Sequence, residues 1–193
     1  ARWQMFHAAR NTFLDAGYVA IGMDHFAKPS DELALAGECA KLHRNFQGYT
    51  VLPPTDLVGF GVSSIGDVAG SFLQNERGLG SYCSAIEEGR LATQRALVLS
   101  VDDKIRRAAI LDIMCNLQLR FYDLDEAFNV DSRRYFADEV QQLHPLADDG
   151  LIRMEQSRIV VTELGRLFLR NIAMPFDAYL RQGTTTQRFS KTV

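Results

Sequence analysis

The sequence predicts an α/β segment followed by a mostly helical, winged-helix-like domain. Three features carry that expectation. An amphipathic stretch at 2–15 runs into the short apolar segment Tyr18-Val-Ala-Ile-Gly-Met23, the order of half an α/β repeat. After Gly89 the pattern turns helical, opened by Ser100-Val-Asp-Asp103, which reads as a capping box. Near the C-terminus LIRME (151–155) and RIVVT (158–162) flank Gln156-Ser157 as a two-stranded wing. A domain boundary is placed near residue 92, giving 1–92 and 93–193.

The elements follow in order. Trp3, Phe6, Phe13 and Leu14 lie among small and polar residues as one helical stripe, and Gly17 reads as its C′ stop. Tyr18 to Met23 is expected to be a strand buried on both faces. Asp24-His25-Phe26 and Lys28-Pro29 make a loop, and a weaker helix runs from Ser30 toward Lys41. HRNFQGYT (43–50) and Pro53-Pro54 read as an ordered loop, since Pro-Pro continues neither regular ladder. Leu57 to Ile65 is the next predicted strand, its glycines 59 and 61 indicating close backbone approach. Gly66 to Gly80 is expected to be irregular, and Ser81 to Gly89 a short helix.

In the second half, Ile110, Ile113, Met114 and Leu117 fall on one face of a long helix, with Cys115 as plain core. Asp131 caps a second helix carrying Phe136, Val140 and Leu143; Pro145 interrupts that region and Asp149-Gly150 ends it. After the wing, a closing helix runs from about Glu163 to Met174, where Pro175 stops it. Thr184 to Thr186 reads as a loose tail.

Composition restricts the class of function. A chain of 193 residues with 47% hydrophobic and 23% charged residues is an ordinary soluble globular protein, expected in the cytoplasm. No apolar run reaches the roughly 18 to 20 residues of a membrane span. The net charge of −3 disfavours nucleic acid and anionic membranes as partners, and neither half is a basic footprint. Arg133 and Arg134 begin the second helix, but Asp138 and Glu139 follow, so it reads poorly as a phosphate-binding recognition helix. Cys39, Cys83 and Cys115 are too far apart for a zinc or cluster motif and suit a reducing compartment.

Two stretches attract attention as sites. Asp24-His25 follows a predicted buried strand, where ligand chemistry collects in α/β folds; it also fits a loop cap beside a histidine satisfying a carbonyl. In 43–50, Phe46 can stack on a flat ligand, Gln47 offers a donor and an acceptor, and Gly48 admits close backbone approach. The same residues fit a buried aromatic corner. No serine-hydrolase elbow, phosphate loop, zincin motif or dinucleotide fingerprint is present.

Taken together, YVAIGMDHFAKPSDELA, LHRNFQGYT, DLVGFGVSSIG, Gln74-Asn75 and DGLI…VTELGRLFLRNIAMPFDAYL, down to the RFSKTV ending, carry a resemblance. The chain resembles the C-terminal portion of the bacterial oxygen-independent coproporphyrinogen III oxidases, a radical S-adenosylmethionine (SAM) family. The resemblance implies the last strands and helices of a partial (β/α) barrel, followed by the winged-helix-like domain. It also implies oxidative decarboxylation of two propionates of coproporphyrinogen III to vinyls, giving protoporphyrinogen IX in haem biosynthesis through a 5′-deoxyadenosyl radical. A 4Fe–4S cluster and two SAM molecules would serve the full-length enzyme, with electron donor and acceptor unidentified. Phe46 and Gln47 would lie near the second SAM and Ile65 would line its site. A radical-SAM-related haem chaperone and a free-standing winged-helix interaction module are the alternative readings.

The family's three closely spaced cluster cysteines are missing from this sequence. That absence and the lack of an initiator Met lead to the expectation of a fragment, binding no cofactor and inactive alone. A full-length monomer is expected, with a raw sheet edge in the fragment able to pair two copies. Val51-Leu52-Pro53-Pro54 is more apolar than the family's usual stretch there.

Overall fold

The computed structural model describes residues 2–181; the Thr184–Thr186 tail and the RFSKTV ending lie outside the described residues. Two compact units emerge, one made of residues up to 44 with 49–51 and 105 onward, the other of 45–48 with 52–104. The architecture is mixed α/β, and its strands form small separate sheets rather than a closed barrel.

In the first unit, helix α1 (Arg2–Asp15) ends where Gly17 takes φ +83° and Tyr18 N–H reaches back to the Phe13 carbonyl. Its aromatic stripe is used: Phe13 stacks on Phe26 at 4.8 Å and Trp3 on Phe168 at 6.1 Å. Strands β1 (Val19–Gly22) and β2 (His25–Ala27) form an antiparallel hairpin. The expected strand is present, yet only Ile21 and Gly22 are buried and Val19 is exposed, so it is not covered on both faces. Helix α2 (Glu32–Glu38) starts at Asp31, whose carboxylate accepts from Leu33 N–H at 2.9 Å. Strands β3 (His43–Asn45) and β4 (Gly48–Thr50) pair, so the predicted loop is a hairpin with Phe46-Gln47 at its tip.

The second unit departs most from expectation. No strand runs from Leu57 to Ile65; Leu57 makes an isolated bridge to Asp67, with both N–H···O contacts at 2.8 Å. The ladder begins at Ile65 and occupies the stretch expected to be irregular, as β5 (Ile65–Val68) and β6 (Ser71–Asn75). Their turn is Ala69-Gly70 at φ +50° and +74°, both left-handed, the twist a two-residue hairpin needs. Alanine seldom sits there, so composition does not announce the turn. Helix α3 (Leu79–Glu87) follows, and β7 (Thr93–Val98) pairs antiparallel with β6 at the sheet's edge.

Helix α4 (Val101–Asn116) opens on the expected box: Ser100 Oγ accepts from Asp103 N–H at 3.1 Å while Asp103 accepts from Ser100 N–H at 2.9 Å. Strand β8 (Gln118–Arg120) leads into α5 (Phe121–Phe128), α6 (Ser132–Tyr135), α7 (Ala137–Gln142) and α8 (His144–Asp148). Asp131 caps α6 by accepting from Arg134 N–H at 3.1 Å. The predicted wing is β9 (Ile152–Met154) and β10 (Arg158–Val161), to which β8 adds on the far side of β10. The single closing helix is instead a 3-10 turn at Gly165–Phe168, α9 (Leu169–Ala173), a second 3-10 turn at Met174–Phe176 and α10 (Ala178–Arg181). One core holds this unit, with Ile113, Leu119, Phe136, Leu143, Ile172 and Phe176 all fully buried. No helix among the described residues is long and apolar enough to cross a membrane.

Candidate functional site

The register of the β5–β6–β7 sheet sorts its side chains into two faces. Ile65 lies opposite Gln74 and Gln74 opposite Arg95; in the next row Asp67 lies opposite Phe72 and Phe72 opposite Leu97. Directly paired residues share a face, and residues two apart along a strand return to it. Ile65, Gln74, Phe72 and Arg95 therefore stand on one side.

Phe46 joins that side. Its ring meets Phe72 edge-on, with centroids 4.9 Å apart and planes at 85°, and the residue stays 48% exposed. The turn that delivers it is locally specified. Asn45 Oδ1 accepts from Gln47 N–H at 2.8 Å, and Gly48 adopts φ +137°, a conformation costly for any residue with a Cβ. Gln47 is exposed beside Phe46. Of the three residues singled out from the sequence, Phe46 and Ile65 are brought to one sheet face, and Gln47 is exposed in the turn next to Phe46.

Sequence reasoning gave neither Phe72 nor Gln74 a place in the site because both lay in the stretch read as irregular. Gln74 is the amide of the face, which Asp67 and Arg95 share: its oxygen accepts from Arg77 at 3.4 Å and its nitrogen donates to the Ser63 carbonyl at 3.5 Å. An aromatic pair, a branched aliphatic side chain and an amide suit a flat heteroaromatic ligand, which needs stacking area and a donor–acceptor pair.

Of the two glycines of the preceding loop, Gly59 makes the close backbone approach the sequence suggests and Gly61 does not. A Cβ on Gly59 would lie 2.5 Å from Ser64 Oγ and 3.0 Å from the Ile65 carbonyl oxygen. The close approach is real, but the neighbour is this chain's own strand. Gly61 has open space around it and is needed for its φ of +92°.

Asp24 and His25 belong to the other unit. The carboxylate meets His25 Nδ1 at 3.1 Å, with Asp24 largely exposed, and the imidazole edge packs on Tyr49 at 5.1 Å. Tyr49 donates its hydroxyl to the Met114 carbonyl at 2.9 Å, satisfying one of the acceptors left open at the C-terminus of α4. Burial pushes the Tyr49 hydroxyl up to about 12, and burial likewise lifts the Cys115 thiol to about 12. This corner is packing, with the Tyr49 hydroxyl and the Cys115 thiol held neutral.

The three cysteines are not a ligand set. Cys115 is buried, Cys39 and Cys83 are exposed, and no group of three or more His, Cys, Asp or Glu able to hold a metal occurs among the described residues. They do not fit an iron–sulfur cluster, which requires gathered thiolates.

Known proteins resemble this chain closely. Residues 99–168 match the HemN C-terminal domain. The oxygen-independent coproporphyrinogen III oxidase of Salmonella typhimurium is 46% identical over 178 residues, 92% of this chain and 39% of the relative. Its namesake from Pseudomonas aeruginosa is 43% identical over 190 residues, covering 98% and 41%. The solved Escherichia coli coproporphyrinogen III oxidase (HemN), described as a radical SAM enzyme, superposes with a TM-score of 0.86 at 42% identity, over 90% of this chain and 40% of that one. By fold and sequence the chain is thus related to a radical SAM enzyme. More narrowly, the relatives it matches are oxygen-independent coproporphyrinogen III oxidases, and residues 99–168 are similar to the HemN C-terminal domain. It spans about two-fifths of the length of these two curated relatives, at 39% and 41%.

Proposed function

We propose that this chain is the C-terminal portion of an oxygen-independent coproporphyrinogen III oxidase, a cytoplasmic, monomeric enzyme of haem biosynthesis. Residues 1–92 then supply the last elements of a partial barrel and 93–193 a winged-helix-like domain. The β6–β7 ladder runs on past that division, to Val98. The carrying observation is identity above 40% along nearly the whole chain to oxidases of several bacteria. The shared face of Phe46 and Ile65 supports it independently.

In this reading the sheet face binds the second of two SAM molecules. When bound, SAM would supply the oxidant that takes one hydrogen atom from each reacting propionate of coproporphyrinogen III, the second electron passing to an acceptor held elsewhere. The chain's own residues bind and orient. Phe46, backed edge-on by Phe72, offers a ring for the adenine, and Gln47 offers the amide that pairs with its edge. Ile65 adds contact area and excludes water without presenting an exchangeable proton. Since the cysteines here do not fit a 4Fe–4S cluster, no step of that chemistry is assigned to them; the remainder of the longer protein would hold it.

The test is anaerobic turnover of coproporphyrinogen III by the full-length parent and by its Phe46→Ala, Gln47→Ala and Ile65→Asp variants. Each is expected to lose most protoporphyrinogen IX formation while keeping the cluster's absorption. A desolvated carboxylate at position 65 is the harshest change. Unchanged SAM binding and turnover in all three would remove the site. Turnover by the purified 193-residue chain alone would refute its status as a portion.

A further inference from the structure

Between Leu57 and Ser64 the chain forms no strand, yet it is pinned at both ends and in the middle. Leu57 is locked to Asp67 by the paired contacts described above. Ser63 N–H donates to the Glu76 carbonyl at 2.7 Å, and Asn75 N–H to the Ser64 carbonyl at 2.9 Å. The middle depends on side chains. Asn75 Nδ2 donates to the carbonyls of Gly59 and Gly61, both at 3.0 Å, and Tyr82 Oη accepts from Gly61 N–H at 3.0 Å. A single primary amide thus closes the loop with both of its hydrogens.

Few side chains suit that place. Two carbonyl oxygens converge on one point, so the group there must donate twice and carry no negative charge. Aspartate has the same shape but would set carboxylate oxygen against both carbonyls. Alanine leaves both carbonyls without this donor. Glutamine is one methylene too long for the gap. Gly59, pressed against Ile65, cannot shift toward the strand to compensate.

We infer that Asn75, seconded by Tyr82, is a positioning residue that clamps the Gly59–Gly61 loop and thereby fixes Ile65 at the cofactor face. Phe60 is 86% exposed and projects from the clamped segment. Ile65 is the first strand residue after the loop, and its carbonyl is the backbone against which Gly59 packs. Release of the clamp would let the loop swing while the β5–β6–β7 ladder stayed paired. The inference rests on the reading of that face as a SAM site.

Two measurements test it. Hydrogen exchange on the chain itself reads the clamp directly. Asn75→Asp should raise exchange of the Gly61 and Ser63 amides at least tenfold and leave the Phe72 and Leu73 amides of the ladder unchanged. In the full-length enzyme Asn75→Asp should raise the KM for SAM about tenfold with a smaller fall in kcat. Tyr82→Phe, which removes one acceptor and no backbone, should move both readouts in the same direction by a few-fold. It also carries the test should Asn75→Asp not fold. Unchanged exchange at Gly61 in either variant overturns the clamp. Faster exchange with an unchanged KM overturns its link to the cofactor. If Phe46, Gln47 and Ile65 variants also bind SAM normally, the reading of the face has failed. If they lose binding while Asn75→Asp keeps it, only the clamp inference has.

Discussion

Glu139→Ala should be among the most destabilising single changes in the first unit. The Glu139 side chain is 3% exposed and Arg106 only 16%, and they meet at 2.9 Å. Removing one partner of a buried pair costs about 3–5 kcal/mol, because the remaining charge stays buried. Arg106 would keep some company: it donates to the Phe176 carbonyl at 3.3 Å and lies 5.6 Å from the Phe136 ring centroid. That residual contact favours the lower end, about 3 kcal/mol. With a urea m-value of about 2 kcal/mol/M, the midpoint should fall by about 1.5 M. Trp3, the single tryptophan, stacks on Phe168 in the same unit and reports its unfolding by fluorescence. The sharper control is Arg106→Met with Glu139→Leu, which removes both charges and should recover most of the loss. A midpoint shift below about 0.3 M for Glu139→Ala would refute the argument. A double variant no better than the single would show that lost packing, rather than an abandoned charge, sets the penalty.

Gly165→Ala should cost about 3 kcal/mol by the same titration, since its Cβ would lie 1.9 Å from the Leu151 carbonyl oxygen, a backbone atom that cannot rotate away. Tyr49→Phe should cost about 1–2 kcal/mol, because the Met114 carbonyl at the end of α4 loses the hydroxyl that satisfies it. Stability should fall as pH rises from about 9 to 12: the unfolded chain sheds the Cys115 and Tyr49 protons from their ordinary values of 9.0 and 10.0 upward, while the folded chain keeps them to about 12. Cys115→Ala should flatten that slope whatever it does to stability at neutral pH, and an unchanged slope would remove the thiol from the account. Brief alkylation of the native protein should label Cys39 and Cys83 and spare Cys115 until denaturant is added, as mass spectrometry of the peptides would show.

Legibility in the sequence tracked how local each signal was. Asp31, Ser100 with Asp103, and Asp131 announced helix starts because a cap is made within three residues of itself. The wing was readable for the same reason, LIRME and the β-branched RIVVT lying two residues apart. Helix α5 was not: it follows β8 without a break, and Arg120 at its N-cap makes no side-chain capping bond. Strands β5 and β6 were hidden because IGDV and SFLQN are short, and their turn uses a left-handed alanine. The candidate site shared that fate. Phe46 and Gln47 stood out as an aromatic and an amide in a tight turn, but the face they join exists only through the pairing of Ile65 with Gln74 and of Asp67 with Phe72. Register across a ladder is a nonlocal fact, and no window of sequence contains it.

The glycines show what that difference means for recognition. Gly59 and Gly61 carry the composition of a backbone-lined ligand loop, and the expectation of close approach was correct for Gly59. Its neighbour, however, is the Ile65 carbonyl, and the carbonyls of both glycines are occupied by the Asn75 amide. Those two groups cannot turn to a ligand without breaking the clamp, so they are poor candidates for reading one. If the face binds SAM as proposed, discrimination there falls to side chains: the rings of Phe46 and Phe72, the Ile65 branch and the Gln47 and Gln74 amides. A site built that way tolerates small changes in backbone and is sensitive to side-chain shape. Truncating Phe46 should therefore weaken binding more than a conservative change in the loop that leaves Asn75 in place. The reverse order would mean that the loop backbone, despite its internal bonds, touches the ligand.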